Sequence, residues 1–507
     1  MSLTLVIGGT RSGKSARGEQ LALASGLPVR YVATADPGDA SMAARIAAHV
    51  ARRPAEWETV IAGSDLAGAV RPGACTLIDG LGVWLAGAGA AADASALVDA
   101  ARTDEVILVA EDAGHGLLPL DAVSRAWLDQ LGEMVQRLSA AASRVELVVA
   151  GRPLVLHATP SARDPALRRH GDRDVQPGDI DHAVNVLAGG PPAWLTDALQ
   201  HALRHDAERY PDERSAARAL ADLHGRSENE IVITNGAAEA LWLLGPALRP
   251  GLAAVAHPAF TETEAALRAH DIPVARVLRD PGAGFALDPE AVPDAADLVV
   301  VGNPASPCGT LHPAAAILAL RRPGRTVVVD EAFMGMVPGE PGSLAAEPLP
   351  DVIVVRSLTK LVSIPGLRAG YALAPPPLAA ALRMVKPPWS ANALALAALR
   401  AAAAHPGELA AAAARADAER ADLAQRLAGL PGVRTWPSVT NFCLVEVPDG
   451  PAVLAALRAR RIAVRSAASF PGLGQDHIRL TARDPAANAR LAAALAEAMP
   501  AAVGARA

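Results

Sequence analysis

The sequence predicts an α/β fold in two parts: an N-terminal sheet domain of the P-loop type, and a longer C-terminal region with a large and a small domain. Short apolar runs alternate with helical stretches along both parts, which is typical of mostly parallel sheets covered by helices. A glycine-rich loop follows the first apolar run, and an Ala-rich helical region with two further strand-like runs closes the chain. With 507 residues, the chain exceeds the size that one hydrophobic core usually serves.

The N-terminal domain is predicted to span residues 1–158, followed by a linker at residues 159–169, where hydrophobic periodicity is lost. Its predicted strands are Leu3–Ile7, Val29–Ala33, Thr76–Asp79, Val106–Ala110 and Val145–Ala150, and its clearest helices are Ala16–Ser25 and Ser124–Ser143. Because strands and helices alternate, we expect a mostly parallel sheet.

The C-terminal domain is predicted to span residues 170–507. Its β-branched runs are Ile231–Thr234, Ala253–Ala256, Leu298–Val301, Thr326–Val329 and Val352–Val355, with helical stretches between them. After about residue 375 the chain is rich in alanine, which favours helix. Two short strand-like runs follow at Phe442–Val447 and His477–Thr481. This order predicts a large α/β domain followed by a smaller α+β domain.

The composition is that of an ordinary globular protein, with 51% hydrophobic and 20% charged residues. A net charge of -6 gives no electrostatic reason for binding nucleic acid or an anionic membrane. No apolar run reaches the roughly 18 residues that a membrane-spanning helix needs, and the first residues lack the basic segment of a signal peptide. Cys75, Cys308 and Cys443 form no CxxC pair and indicate a reducing compartment. We therefore expect a cytoplasmic protein with no nucleic-acid or membrane partner.

A phosphate-binding loop follows the first predicted strand and precedes the first predicted helix, the context that this motif requires. It comprises Gly8, Gly9, Thr10, Arg11, Ser12, Gly13, Lys14 and Ser15. The glycines let backbone N–H groups surround phosphate oxygens, while Lys14 can reach the outer phosphates and the Ser15 hydroxyl can ligate Mg²⁺. Asp79 ends a predicted strand and could hold the water shell of that metal. We expect GTP or ATP with Mg²⁺ here; the alternative is a glycine turn without a ligand.

Lysine is rare in this chain, which contains only Lys14, Lys360 and Lys386 beside many arginines. A retained lysine suggests chemistry that a guanidinium cannot perform, such as forming an imine with an aldehyde. Lys360 follows a predicted strand, with Ser357 before it and Arg368 after it. A hydroxyl and an arginine at these positions can bind the phosphate of an aldehyde cofactor.

Three further groups complete the predicted cofactor site, and each follows or ends a predicted strand. Asp330 can keep a pyridine nitrogen protonated, which makes the ring an electron sink. Gly236, Ala237 and Ala238 open a helix, whose N-terminus favours an anion. Phe260 could stack on the ring. This order predicts one site for pyridoxal 5'-phosphate at a sheet edge; the alternative is that each group only caps its strand in solvent.

The phosphate loop and several later segments resemble the adenosylcobinamide kinase/guanylyltransferase family over about residues 1–157. The matching segments include Gly8–Ser15, Tyr31–Ala35, Met42–Ile46, Arg53-Pro54, Trp57 and Gly114–Gly116. In that family a histidine after the RI dipeptide carries GMP covalently, so the resemblance makes His49 a catalytic candidate. The sequence departs from the family pattern at Ala48, Ala110 and Val135. A nucleotide-binding domain without catalytic activity therefore stays an alternative.

The C-terminal region resembles fold-type I pyridoxal-phosphate enzymes, the aspartate aminotransferase superfamily, from about residue 170 to near the end of the chain. The closer match is the L-threonine-O-3-phosphate decarboxylase family, with histidinol-phosphate aminotransferases as cousins. The segments that carry the resemblance are Asn185, Glu208–Pro211, Asp330–Phe333, Arg356–Lys360, Pro388–Leu394, Val464–Ser466 and Ile478–Leu480. The PWSxNAL and VRSxxxFPGL segments favour the decarboxylase.

The resemblance also implies roles for single residues. It makes Lys360 the Schiff-base lysine and Asp330 the partner of the pyridine nitrogen, and it implies a homodimer in which Tyr210 reaches the cofactor phosphate of the neighbouring subunit. Cofactor contacts are implied for Phe260, Gly236, Ala237, Ala238, Ser357 and Arg368, and substrate contacts for Asn185, Arg465 and Arg479. Ser306 stands where the family has an asparagine that contacts the ring oxygen, and Asn303 is a possible substitute.

Both resemblances concern the nucleotide-loop end of cobalamin (vitamin B12) assembly. We therefore expect a pyridoxal-phosphate-dependent decarboxylation of L-threonine O-3-phosphate to aminopropanol phosphate, fused to a cobinamide kinase/guanylyltransferase-like domain. The alternative is an aminotransferase similar to histidinol-phosphate aminotransferase, joined to a nucleotide-binding module without catalytic activity.

Overall fold

Three β-sheets organise the part of the chain that the structure describes, two of seven strands and one of five. The structure is a computed structural model, and it describes residues 2–34, 47, 53–88, 92–113, 119–158 and 165–499. The chain divides into two compact units: residues 1–162 with Pro273–Ala275, and the remainder of residues 163–507.

The first unit is built on a single sheet. Its strands are β1 (Ser2–Gly8), β2 (Val29–Ala33), β3 (Glu58–Ile61), β4 (Cys75–Asp79), β5 (Glu105–Glu111), β6 (Arg144–Val149) and β7 (Arg152–Ala158), and its helices are α1 (Lys14–Ala24), α2 (Leu81–Ala88), α3 (Ala96–Ala100) and α4 (Ala122–Ala141). The order across the sheet is β3-β2-β4-β5-β1-β6-β7, with β7 antiparallel to β6 and the other neighbours parallel. The inner strands carry apolar side chains on both faces, as expected for a parallel sheet that is buried on both sides. These side chains pack into two buried apolar clusters.

Parallel pairing brings the phosphate loop and the predicted metal-site carboxylate to one edge of this sheet. Gly8 ends β1 and Asp79 ends β4, with only β5 between these strands. Helix α1 begins at Lys14, earlier than the predicted Ala16, because Gly13 turns the backbone with a φ of 97° that only glycine adopts readily.

The rest of the chain forms the other two sheets. Its strands are β8 (Ile180–His182), β9 (Ile231–Asn235), β10 (Ala253–His257), β11 (Val274–Leu278), β12 (Leu298–Gly302), β13 (Thr326–Asp330), β14 (Val352–Ser357), β15 (Ala369–Leu373), β16 (Arg434–Thr435), β17 (Phe442–Glu446), β18 (Ile462–Ser466) and β19 (His477–Thr481). Its helices are α5 (Ala193–His205), α6 (Arg214–His224), α7 (Ala237–Leu248), α8 (Glu262–Ala269), α9 (Ala314–Leu318), α10 (Pro376–Val385), α11 (Ala393–Ala404), α12 (Pro406–Ala428), α13 (Gly450–Ala459) and α14 (Pro485–Ala498). Short 3-10 turns lie at Ala67–Ala69 in the first unit and here at Pro165–Arg168, Gly171–Asp174, Glu228–Glu230, Pro289–Ala291, Met334–Met336 and Pro365–Leu367.

The large sheet has the order β11-β10-β12-β13-β14-β15-β9, and the small sheet has the order β16-β17-β19-β18-β8. Strands β10, β12, β13 and β14 are parallel neighbours, whereas β15 runs antiparallel to both β14 and β9. The predicted α/β fold, with a large and a small sheet domain after the P-loop domain, is confirmed.

Several strands were not predicted, and the reasons differ. Arg152–Ala158 is largely exposed along its length, so it shows no hydrophobic alternation. Ala369–Leu373 has the sequence AGYAL, which contains no β-branched residue, although it lies buried inside the large sheet. Among the helices that the structure describes, none has the length and apolar character to cross a bilayer.

A buried carboxylate ties the first helix to the sheet of the first unit. Glu146 on β6 is fully buried and accepts hydrogen bonds from Arg17 on α1 over 2.6 and 2.9 Å and from Arg144 over 2.6 Å. Burial alone would raise the pKa of Glu146, but the hydrogen bonds and charges of the two arginines outweigh it, so the pKa lies below its ordinary value.

Replacing Glu146 by alanine is expected to destabilise the first unit by about 3–5 kcal/mol, because it removes one partner of a buried ion pair. Amide hydrogen exchange of the β1 and β6 peptides in the full chain measures the loss. Glu133→Ala, an exposed position on α4, is the control and should leave exchange unchanged. Because the folded-state pKa of Glu146 is lowered, its contribution is present at neutral pH and is lost as the pH falls through that value. Equal exchange in both variants would contradict the expectation.

Candidate active site and nucleotide site

A cavity of about 360 Å³ opens in the second unit at the carboxyl ends of the strands of the large sheet. Most of the residues predicted for the cofactor and substrate lie in its wall: Asn185, Ala237, Ala238, Phe260, Ser306, Asp330, Ser357, Lys360, Arg368, Arg465 and Arg479. The structure therefore brings together residues that are up to about 300 positions apart in the sequence.

Lys360 follows β14 and points its amine into this cavity, 4.4 Å from the ring centroid of Phe333. Burial lowers the pKa of the amine to about 8, although the nearby Asp330 carboxylate acts in the opposite direction. The positive charges of Arg368 and Arg479 lower it further. A lysine with this pKa has a useful neutral fraction near neutral pH, which is the form that attacks an aldehyde.

Asp330 ends β13, the strand next to β14 in the sheet. Burial raises the pKa of its carboxyl, and the charge of Lys360 partly opposes this effect. The backbone N–H of Ala332 donates to Oδ1 of Asp330 over 3.0 Å, which fixes the orientation of the side chain. A carboxyl group in this setting strongly favours a protonated nitrogen as its partner.

The phosphate corner depends on a close approach of the Arg368 side chain to the backbone at Gly236. Gly236 has a φ of 78° and immediately precedes α7, and a Cβ at this position would lie 2.5 Å from Nη2 of Arg368. Antiparallel pairing sets Ala369 opposite Asn235, which carries the neighbouring Arg368 to the start of α7. Ser357 completes the corner. A helix N-terminus, a guanidinium and a hydroxyl together suit a phosphate group.

These features fit pyridoxal phosphate. The amine of Lys360, the carboxylate of Asp330 and the phosphate corner line one cavity, and Phe260 lies in the same wall. The glycine at residue 236 leaves space that a larger residue would fill. The assignment of these residues to the cofactor stays a prediction, now with a geometry that can accommodate it.

Two arginines enter the cavity from the small sheet. Arg465 on β18 and Arg479 on β19 are register partners, and their side chains are nearly fully buried. Burial, followed by the charge of Arg465, lowers the pKa of Arg479 to about 9. Within the described part of the chain, Nε of Arg479 is buried without a hydrogen-bond partner. Two neighbouring buried cations are stabilised when an anion binds between them.

The expected contact with the ring oxygen has two candidate residues, Ser306 and Asn303. Ser306 lies in the cavity wall, and its Oγ is 3.4 Å from Nη1 of Arg479. The side chain of Asn303 instead bonds the backbone of His312, accepting its N–H over 2.7 Å and donating to its carbonyl over 3.3 Å. Of the two candidates, Ser306 is therefore the one that faces the cavity.

Sequence reasoning missed a segment that contributes to the cavity. The 3-10 turns at Pro165–Arg168 and Gly171–Asp174 place Arg169 and His170 in its wall. Glu262 on α8 accepts hydrogen bonds from Arg168 and from the Trp242 indole, and one of its oxygens lies 2.8 Å from Nε2 of His170. This segment has no hydrophobic periodicity, and it was therefore predicted to be part of a linker. The one sequence signal of its role was the run of basic residues Arg168, Arg169 and His170 before a glycine.

Tyr210 lies outside the cavity of its own chain. It is 78% exposed and stacks on Trp389, which is 57% exposed, with ring centroids 4.5 Å apart. Such an exposed aromatic pair is compatible with the predicted role at a neighbouring subunit, and this role stays a prediction.

The nucleotide site of the first unit has the expected components. The loop from Gly8 to Ser15 connects β1 to α1, and Nζ of Lys14 lies 3.4 Å from the carbonyl of Gly9. The Ser15 hydroxyl donates to Oδ1 of Asp79 over 2.9 Å, so the two predicted magnesium-site groups are direct neighbours. His49 lies outside the residues that the structure describes. Among the described residues, no three or more His, Cys, Asp or Glu side chains are grouped so that they could hold a metal ion.

Two family models match the chain. Residues 4–156 match the family described as cobinamide kinase / cobinamide phosphate guanyltransferase. Residues 178–495 match the family described as aminotransferase class I and II.

Individual proteins agree with this division. A histidinol-phosphate aminotransferase of Mycobacterium tuberculosis is 45% identical over 323 residues, covering 63% of this chain and 87% of the relative. The bifunctional adenosylcobalamin biosynthesis protein CobP of Pseudomonas aeruginosa is 39% identical over 170 residues, covering 31% of this chain and 98% of the relative. The crystal structure of L-threonine-O-3-phosphate decarboxylase from Porphyromonas gingivalis has a TM-score of 0.57 and 26% identity, covering 62% of this chain and 98% of that one.

Pyridoxal phosphate added to the apo chain is expected to attach to Lys360, and borohydride reduction should make the attachment permanent. The rate of attachment should rise with pH around a midpoint near 8, the pKa to which burial lowers this amine. Mass spectrometry of peptides identifies the modified lysine at each pH. Lys360→Arg should abolish the adduct, whereas Lys386→Arg, which alters a lysine bonded to Glu213, should keep it. An adduct on Lys14 or Lys386 would overturn the assignment.

Proposed function

The chain belongs to the cobinamide kinase / cobinamide phosphate guanyltransferase family in its N-terminal part and to the aminotransferase class I and II family in its C-terminal part, and on this premise we propose that its C-terminal part decarboxylates L-threonine O-3-phosphate to aminopropanol phosphate in cobalamin biosynthesis. The N-terminal part is proposed to bind GTP or ATP with Mg²⁺. The observation that carries the first proposal is the buried arginine pair that lines the same cavity as Lys360.

The arginine pair suits a substrate with more than one anionic group. Arg465 and Arg479 can hold one anion between them, and Arg169 and His170 add basic groups in the same wall. L-Threonine O-3-phosphate carries both a carboxylate and a phosphate, so it can use both sets of basic groups. Charge-assisted hydrogen bonds to arginine also fix orientation, which decides which bond at the reacting carbon is broken.

The remaining side chains divide the chemistry between them. When bound, pyridoxal phosphate supplies an electron sink for the pair of electrons left by the departing carboxylate. Asp330 holds the proton on the pyridine nitrogen, because a buried carboxylate needs a cationic partner. Lys360, with a pKa of about 8, can return a proton to the carbon from which carbon dioxide leaves.

Transamination is a second candidate because of a specific observation. The M. tuberculosis relative, at 45% identity, bears the name histidinol-phosphate aminotransferase. That reaction would use the same lysine, but it would move a proton at the substrate carbon and pass the nitrogen to a keto acid. The decarboxylase is preferred because the N-terminal part resembles a cobalamin-biosynthesis protein over 98% of that relative's length.

A homodimer is part of the proposal. Tyr210 and Trp389 form an exposed aromatic pair that does not line the cavity of their own chain. In a dimer, Tyr210 would reach the phosphate corner of the neighbouring subunit.

Incubation with L-threonine O-3-phosphate alone is expected to release carbon dioxide and aminopropanol phosphate. Arg479→Lys and Arg465→Lys should each raise KM by roughly 10- to 150-fold, because losing a charge-assisted bond costs about 1.5–3 kcal/mol. Arg325→Lys is the matched control, since Arg325 is also buried but donates to the backbone carbonyls of Ala296 and Leu320, which do not line the cavity. Transfer of nitrogen to an added keto acid, without carbon dioxide, would replace the decarboxylase by the aminotransferase.

The N-terminal part is expected to bind GTP or ATP in the presence of Mg²⁺, and Lys14→Ala should abolish binding because it removes the lysine that reaches the outer phosphates. Equilibrium binding of a fluorescent nucleotide measures this, with Lys386→Ala as the control.

Labelled GTP then tests guanylylation: an acid-labile, alkali-stable label on His49 supports the transferase. Binding without a label supports a nucleotide-binding module, and no binding contradicts the proposal.

A further inference from the structure

A buried tyrosine of the first unit contacts Asp79, the carboxylate that the phosphate loop also contacts. Tyr31 on β2 is 2% exposed, and its hydroxyl donates to Oδ2 of Asp79 over 2.5 Å. The contact arises from the sheet itself, since β2 and β4 are parallel neighbours with Ala33 opposite Asp79. Tyr31 precedes Ala33 by two residues, so it lies on the same face and its long side chain can reach the end of β4.

The two oxygens of Asp79 have different partners. The Ser15 hydroxyl of the phosphate loop donates to Oδ1, whereas the Tyr31 hydroxyl donates to Oδ2. The Thr34 hydroxyl donates to the backbone carbonyl of Asp79 over 2.6 Å, which also holds the end of the strand. The carboxylate plane is therefore fixed by one contact from the sheet and one from the loop.

This arrangement fits a divalent cation of the kind that accompanies a nucleoside triphosphate. Ser15 offers a hydroxyl oxygen, and Asp79 offers a carboxylate 2.9 Å from it, which is the hard oxygen chemistry that Mg²⁺ prefers. When Ser15 turns to a metal ion, its contact with Oδ1 is released, but the contact between Tyr31 and Oδ2 need not change. The terminal torsion of an aspartate has broad minima, so this second contact decides how freely the carboxylate rotates.

Tyr31 is itself held in place. The guanidinium of Arg53 lies 3.3 Å from its ring centroid, and the ring packs in an apolar cluster with Leu77 and Val109.

We propose that Tyr31 is a positioning residue for the metal site, which acts by orienting Asp79 toward the cation bound at Ser15. The proposal rests on the nucleotide site proposed above and adds a residue to it. Tyr31 touches neither nucleotide nor metal in this proposal; its effect passes through the carboxylate. Loss of its hydroxyl should weaken the binding of Mg²⁺ rather than the recognition of the nucleotide.

Tyr31→Phe tests this in the full chain by titrating Mg²⁺ into protein with a fluorescent GTP analogue. The Mg²⁺ concentration for half-maximal binding should rise by about tenfold, the lower end of the effect of losing a partner of a metal ligand. Nucleotide affinity measured in EDTA should stay unchanged. Tyr371→Phe is the matched control, because it removes another buried tyrosine hydroxyl, bonded to His224 in the second unit.

A double variant separates positioning from general destabilisation. If Tyr31 acts through Asp79, Tyr31→Phe should add nothing to the effect of Asp79→Asn on the Mg²⁺ titration, whereas independent effects would add. An unchanged Mg²⁺ midpoint in Tyr31→Phe, or additive effects in the double variant, would overturn the role of Tyr31 and leave the nucleotide site intact. If the unaltered chain binds no nucleotide, the site and the role of Tyr31 fall together.

Discussion

The candidate active site depends on one close backbone approach, where β15 crosses the start of α7. A Cβ on Gly370 would lie 2.6 Å from the backbone nitrogen of Ala237 and 2.8 Å from Cα of Gly236, so the contact exists only because residue 370 is a glycine. The contact sets Arg368 against the helix N-terminus, and β15 also pairs with β14, the strand that leads to Lys360. The phosphate corner and the reactive amine are thus parts of one rigid arrangement.

Burial then determines the electrostatics of the cavity. Removing water lowers the pKa of Lys360 and of Arg479 and raises that of Asp330, so every one of these groups moves toward its neutral form. A ligand with a cationic ring nitrogen and an anionic phosphate, followed by an anionic substrate, reverses these penalties by supplying the missing opposite charges. The charge that the cavity offers to a ligand therefore depends on these buried groups and not on the net charge of the chain, which is -6.

The sequence predicted the parts of this site that follow regular strands. Asp330 and Lys360 follow β-branched runs with clear boundaries, and parallel strands necessarily end at a common edge. Tertiary packing decided the rest. His170 lies in an irregular segment, and its partner Glu262 is distant in the sequence, so no local pattern predicted this contact. Strand β15 contains no β-branched residue, so its composition did not predict a strand. Ser306 could be preferred to Asn303 for the ring-oxygen contact only because the structure shows that the Asn303 side chain is hydrogen-bonded to the backbone of His312.

The two units use the same local device for different chemistry. Asp79 and Asp330 each end a parallel strand, and each has a hydrogen bond that restricts its rotation. The carboxylate of Asp79 accepts from two hydroxyl groups, and a metal ion can take the place of one of them, so this carboxylate suits a site that binds and releases a hydrated cation. Asp330 instead lines a buried cavity together with the amine of Lys360 and several arginines. In such a buried place an ionised carboxylate is stable only beside a fixed positive charge. Equal positions at a sheet edge therefore suit a metal ion in one unit and a protonated nitrogen in the other, because the neighbours of the carboxylate differ.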